Sequence, residues 1–344
     1  MALTPVPTEP TLSAVPSGEP PASGPEVVCA GILVSDLFVP VLDRIPRPGE
    51  LIEIAPPLYQ SGGCAANTSI DLASLGIAVR VSGRVGDDAL GQQVIDELAA
   101  GGVDVSGVTR SPDAPTSQTV VLPVAGDDRR FLHCIGANAD YSASDVEMGA
   151  ADAALLVIGG YLVLPGLRPE DLEPVIRRLR TRGVRILLDV VVPHDAPDPA
   201  QAIRPLLPHV DGFLPNQDEA TALTGRTDPR DQAAQLLAWG CTWVVITCGG
   251  NGALYADRDR ALDVTPLEVD FVDGSGAGDA FTAGIVAGML RGWAIEDTLR
   301  YASALGASVC RGLGCHSTMF SDDEARAAMT GIAVREIPLT AGLA

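Results

Sequence analysis

The sequence contains no lysine: all 23 of its basic residues are arginine. Three chemistries are thereby excluded: a Walker-type phosphate lysine, a Schiff-base lysine for pyridoxal phosphate and a lysine general base. Basic residues are also few against 44 acidic ones, for a net charge of −21. With no basic stripe, a nucleic-acid partner is not expected. The same charge repels a free polyphosphate, so a nucleotide is expected to arrive with Mg²⁺. The seven cysteines form no CxxC pair, which argues against a metal cluster or a disulfide framework and for reduced thiols in the cytoplasm. No basic residue precedes Arg44 and no apolar run follows the N-terminus, so a signal peptide is not expected. No stretch reaches the ~20 apolar residues needed to cross a bilayer. Aromatic residues make up only 4% of the chain.

What is present is an alternation of apolar strands and helices after a proline-rich tail. Residues 1–26 carry seven prolines within the first 25 positions and read as disordered. Order begins at the apolar run 27–34, typical of a strand buried on both faces, with Asp36 just beyond it. Residues 37–59 break into proline-punctuated β-prone pieces at 38–42 and 51–54. Residues 116–135 read as a hairpin around a turn at 125–128. The two excursions are expected to pair into a small sheet lying over the site as a lid.

Between them, Ser61-Gly-Gly-Cys-Ala-Ala-Asn67 leads into a helix that stops at Gly76. Strand 79–82 and helix 88–100 follow. After Asn138 come strand 154–158, helix 169–182, strand 184–192, a helix near 199–207 and strand 212–214. This alternation predicts a mainly parallel sheet with helices on both faces. Strand 243–247 runs into the glycine loop 248–252. The expected boundaries are a tail at 1–26, one α/β domain over 27–330 with lid segments at about 37–59 and 116–135, and a C-terminal segment at 331–344.

The chain is organised around Asp273-Gly-Ser-Gly-Ala-Gly-Asp279. Residues 267–272 before it read as a strand, and 280–290 after it as a buried helix. A glycine turn opening a helix presents free N–H groups at a positive helix end, where an anion can sit. Asp279, in the first helical turn, is placed to take a proton from a hydroxyl that attacks phosphorus. Taken alone, the cluster is equally a helix start with a stabilising carboxylate. Asn216 and Glu219 share a helix face directly after a strand, where Glu219 can approach Mg²⁺ through water or can simply favour the helix N-terminus. Gly284 and Gly288 read as a packing surface, and His316 as a loop residue without a catalytic role.

Three ordered stretches resemble the ribokinase (PfkB) family of sugar and nucleoside kinases: Gly62-Gly63-Cys64-Ala65-Ala66-Asn67, Asn216-Gln-Asp-Glu219 and Asp273 to Asp279 followed by Ala280-Phe281. The resemblance spans about residues 27–320. It implies a three-layer α/β core with a small β lid and transfer of the ATP γ-phosphoryl group to a hydroxymethyl group of a sugar. It further implies Asp279 as general base, with the N–H groups of Gly276, Ala277 and Gly278 as an anion hole. Asp36, Gly63, Asn67 and Asn138 match positions that hold the substrate. Asn216, Thr247, Gly249 and Gly252 match nucleotide positions, and Glu219 the Mg²⁺ motif. Asp273 and Ser275 stand where some members bind a monovalent cation, typically potassium. Members often dimerise through the lid. Gly274 replaces the usual threonine of the motif. Cys64 stands where ribokinase has lysine, and Gly159-Gly160-Tyr161 near its substrate-holding glutamate, which points away from D-ribose. A nucleoside kinase on the same fold would need an apolar, aromatic slot for a base, which the low aromatic content disfavours. A further alternative is a binding or regulatory protein without turnover.

Overall fold

The structure, a computed structural model, describes residues 26–126, 130–194 and 196–338. The proline-rich tail up to residue 25 and the tip of the 125–128 turn lie outside the described residues. The chain opens with β1 (Val27–Gly31), β2 (Val34–Phe38), β3 (Leu58–Gly62), α1 (Cys64–Ser74), β4 (Val79–Gly86), α2 (Ala89–Ala100) and β5 (Asp104–Ser111). It continues through β6 (Gln118–Leu122), β7 (Arg130–Cys134), α3 (Ala143–Gly149), β8 (Leu155–Gly159), α4 (Pro169–Thr181), β9 (Arg185–Leu188), α5 (Pro199–Ile203) and β10 (Gly212–Phe213). Then come α6 (Gln217–Thr224), α7 (Pro229–Ala238), β11 (Trp243–Thr247), β12 (Ala253–Asp257) and β13 (Ala261–Val264). The last elements are α8 (Ala277–Leu290), α9 (Ile295–Val309), α10 (Asp322–Ala328) and β14 (Val334–Ile337).

The larger sheet has ten strands in the order β14-β13-β12-β11-β10-β9-β8-β1-β4-β5. From β11 to β5 every neighbouring pair is parallel, and the β11–β12, β12–β13 and β13–β14 pairs are antiparallel. Two large apolar clusters, one on each face, cover this sheet with helices. That double coverage is why β1 reads as an unbroken apolar run, with every residue buried. The fold takes in β14, which lies in what the sequence marked as a C-terminal segment.

Two strand expectations change. The run 27–34 is two strands, not one. At Gly31 the chain passes so close to β8 that a Cβ would lie 2.1 Å from the Gly159 carbonyl oxygen. Three residues later, at Val34, it enters β2 and the second sheet. Asp36 therefore sits inside β2 instead of beyond the end of β1. Residues 267–272 are not a strand: β14 already takes the edge beside β13, and the segment is left without a ladder, with Phe271 71% exposed.

The second sheet has the order β3-β2-β6-β7. The expected 116–135 hairpin is its β6–β7 pair. The first excursion contributes β3 and the end of β2: of the piece at 38–42 only Phe38 lies in a strand, with a further bridge at Leu42, and 51–54 forms none. Cross-strand register gives this sheet one polar row, Asp36, Gln60, Thr119 and His133, and one apolar row, Leu37, Tyr59, Val120 and Leu132.

Helix α8 is buried almost throughout and packs on α9. A Cβ at Gly284 would lie 2.4 Å from Ala302 Cα, and one at Gly288 2.4 Å from Thr298 Oγ1, so both glycines serve this contact. The helix starts at Ala277, three residues before the apolar run, and places Asp279 in its first turn.

Candidate active site

The glycine turn is shaped by its neighbours. Gly276, the N-cap of α8, has φ 77°, and a Cβ there would lie 2.4 Å from the carbonyl oxygen of Cys315. Only glycine fits. At Gly278 a Cβ would meet nothing within 4 Å, so the turn is open on that side. As the second and third helical residues, Gly278 and Asp279 have N–H groups that no preceding turn can satisfy. The Ala277 N–H already donates to Gly274 O at 3.3 Å. Asp273 is buried, and its Oδ1 accepts from the N–H and the hydroxyl of Ser275.

Helix α1 brings the second motif to the same place. Gly63 has φ 92°, and a Cβ there would lie 2.5 Å from Ile32 O. A Cβ at Gly62 would lie 1.8 Å from Asp36 Oδ2, so this glycine makes room for the Asp36 carboxylate. Asn67 donates from Nδ2 to Asp279 Oδ2 at 2.8 Å. Burial raises the Asp279 carboxyl to about 6, against the Asn67 and Cys64 hydrogen bonds, which lower it. Burial likewise raises Asp36 to about 6, opposed by a hydrogen bond from Thr119. Asn138 is occupied at both ends of its amide: Oδ1 accepts from Leu33 N and Nδ2 donates to Leu33 O, with the side chain fully buried. These bonds fix the crossing from β1 to β2.

The third motif closes the pocket. Asn216 caps α6 and forms a reciprocal box with Glu219, with Glu219 N donating to Asn216 Oδ1 and Asn216 N to Glu219 Oε2. Glu219 caps the helix and also lines the adjacent cavity. That cavity is lined by Cys64, Asp189, Asn216, Glu219, Thr247 and Asp279, with Gly278 at its edge. Thr247 bridges to Asn216 through backbone pairing. Gly249, with φ 55°, and Gly252, whose Cβ would lie 1.9 Å from Val264 O, shape the turn from β11 to β12 and stand outside this lining.

Asp189 escaped the sequence reading. It was hidden inside the apolar run 184–192, yet β9 ends at Leu188, and the next residue lies in the crevice beyond the strand ends. Its carboxylate accepts from Gly160 N at 3.3 Å and is raised well above the ordinary range by burial, then by the charges of Glu219 and Asp279. Glu219 is raised to about 7, mainly by burial. Cys64 Sγ and carboxylate oxygens of Asp189 and Asp279 lie within 4.8 Å of one another. The small Cys64 side chain fits Gly159 and Gly160: a Cβ on Gly159 would lie 2.9 Å from Cys64 Cβ. His316 lies in the loop after α9 and is half-buried; burial pushes it down to about 4, and it does not line the cavity.

With this geometry in view, comparison with known proteins is direct. Residues 25–321 match the family model described as pfkB family carbohydrate kinase. Ribokinase of Arabidopsis thaliana is 28% identical, covering 88% of this chain and 80% of its own length. Deoxyribokinase of Salmonella typhi is 27% identical over 80% and 90% of the two chains. The solved structure of Arabidopsis thaliana ribokinase complexed with ribose and ATP superposes with a TM-score of 0.75 at 25% identity, over 89% of this chain and 99% of that one. The chain belongs to the pfkB family of carbohydrate kinases. It is a phosphotransferase with a hydroxyl acceptor, built on the ribokinase-like fold.

Proposed function

We propose that the protein transfers the γ-phosphoryl group of ATP to a hydroxymethyl group of a sugar. The observation that carries this reading is Asp279, held by Asn67 at the open N-terminus of α8 and sharing one cavity with Glu219. Asp279 takes the hydroxyl proton as the sugar oxygen bonds to the γ-phosphorus. The bond from that phosphorus to the bridging oxygen breaks, and its electrons leave on ADP. The N–H groups of the Gly276-Ala277-Gly278 turn face the charge on the transferring group, with Gly278 the most open of the three. Asp36, Gly63 and Asn67 hold the sugar hydroxyls, with Asn138 at the lid's end of the same site, its amide also bonded to Leu33. Asn216, Thr247, Gly249 and Gly252 form the nucleotide side.

The mutually repelling carboxylates of Asp189, Glu219 and Asp279 fit a hard divalent cation. Glu219 and Asp189 would hold Mg²⁺, in part through water, and the ion would offset the phosphate charge that no lysine is present to meet. Asp273 and Ser275 make an oxygen-rich corner of the kind a potassium ion takes.

A sugar is favoured over a nucleoside by the small sheet. The row bearing Asp36 is polar at Gln60, Thr119 and His133, which suits hydroxyls and not the face of a base. The test is ADP formation over a panel of neutral sugars and nucleosides with Mg²⁺. Turnover with a sugar is expected. Turnover with nucleosides alone would give the acceptor to that class. Calorimetric sugar binding with no ADP formed would leave a binding protein.

The opposite row of the lid carries a dimer proposal. Leu37, Tyr59, Val120 and Leu132 form an apolar stripe on which Tyr59 is 52% and Leu132 61% exposed. A second copy of the lid would cover it. Light scattering is expected to show a dimer for the wild type and a monomer for Leu132→Asp; a monomeric wild type overturns the assignment.

A further inference from the structure

One buried acid has no part in the chemistry above. Asp71 lies in α1 one helical turn after Asn67 and is 0% exposed. Among the described residues neither of its carboxyl oxygens meets a donor, and Asn67 Oδ1 is equally without one. Residues i and i+4 share a helix face, so the Asp71 carboxyl and Asn67 Oδ1 lie on one side of α1 with no donor for either. The titratable groups facing Asp71 are Asp279 from α8, Cys29 from β1 and Cys315 from the loop after α9, and none is a cation. An ionised carboxylate there would be a bare buried charge, which folding does not tolerate. Burial and the Asp279 charge both push its carboxyl well above the ordinary range. A single proton on one Asp71 oxygen removes the bare charge and gives Asn67 Oδ1 a donor.

We propose that Asp71 is a positioning residue for phosphoryl transfer: a neutral carboxylic acid whose O–H donates to Asn67 Oδ1 and so holds the Asn67 amide with Nδ2 toward Asp279. The amide is gripped at both ends, by an acid that never ionises during the cycle and by the base that does. The bond Asn67 donates to Asp279 favours the charged form of the base. Asp71 thus sets the proton affinity of a group it does not touch. This rests on the reading of Asp279 as base.

The test compares Asp71→Leu with Asp71→Asn. Leucine fills a similar space without a donor, and leaves Asn67 Oδ1 unpaired. Its kcat is expected to fall about tenfold, and the acid limb of the pH profile to move to higher pH as Asp279 loses part of its support. Asparagine restores an N–H donor and is expected to rescue both. A merely structural role would lower stability without moving the limb. The proposal is overturned if Asp71→Leu keeps the wild-type limb, or if Asp71→Asn moves it to lower pH, because that would mean a negative charge had been removed. Infrared difference spectra are independent of turnover. Wild type minus Asp71→Asn should show a carboxylic acid C=O band, which Asn67→Ala shifts; a carboxylate band overturns the proposal whichever residue proves to be the base. Retained turnover in Asp279→Ala would instead remove the reading of the base, and the infrared result would still decide the state of Asp71.

Discussion

Asp279→Ala is expected to lower kcat by about 10²–10⁴-fold, the usual contribution of a positioned general base. ATP·Mg²⁺ binding followed by calorimetry should be nearly unchanged, because the substitution removes a proton acceptor and leaves the N–H groups of the turn. A variant with normal kcat would take the base role from Asp279. The pH profile gives a second check. The base must be unprotonated to act, and burial holds Asp279 at about 6. As the pH falls through that value the carboxylate gains its proton, so kcat/KM should decline on the acid side near pH 6. Asp36 is raised to about 6 as well, also by burial. The limb is therefore expected to be steeper than that of a single group, and Asp36→Asn should make it shallower.

Gly276→Ala is the second large effect. An alanine at φ 77° costs about 1–2 kcal/mol in backbone conformation alone. Its Cβ would also lie 2.4 Å from the Cys315 carbonyl oxygen, so either the turn or the loop after α9 must move. Because an anion hole depends on the aim of its N–H groups, a loss of about 10²-fold in kcat is expected, together with a lower Tm. Gly278→Ala is the contrast: its Cβ meets nothing within 4 Å, so Tm should hold. An unchanged kcat in Gly276→Ala would mean that the turn does not bear on the transferring group.

The sheet and the three motifs were legible because each is a local pattern. Continuous apolar runs announce strands covered on both faces, and a glycine turn before an apolar segment announces a helix start. What escaped depends on contacts between distant residues. Nothing within 27–34 says that a carbonyl of β8 presses against Gly31 and splits the run into two strands. Asp189 was lost inside an apolar stretch because the end of a strand is set by its neighbours in the sheet. The run 267–272 alternates as a strand should, but its edge of the sheet is already filled by β14. Asn138 has the composition of a ligand-binding position, and only the fold shows its amide spent on Leu33.

The crossing at Gly31 has a mechanical consequence. Asp36 rides on the small sheet, five residues beyond the last residue of β1, while Asp279 is anchored in a helix of the core. Any tilt of the small sheet about Ile32 and Leu33 carries Asp36 with it. On the proposed role of Asp36, holding the sugar would couple the acceptor to the position of this sheet through Ile32 and Leu33, where the Asn138 amide is bonded to Leu33 N and O. A sugar that lacks the hydroxyl proposed to reach Asp36 would leave the small sheet unengaged, and an open site lets water compete for the phosphoryl group.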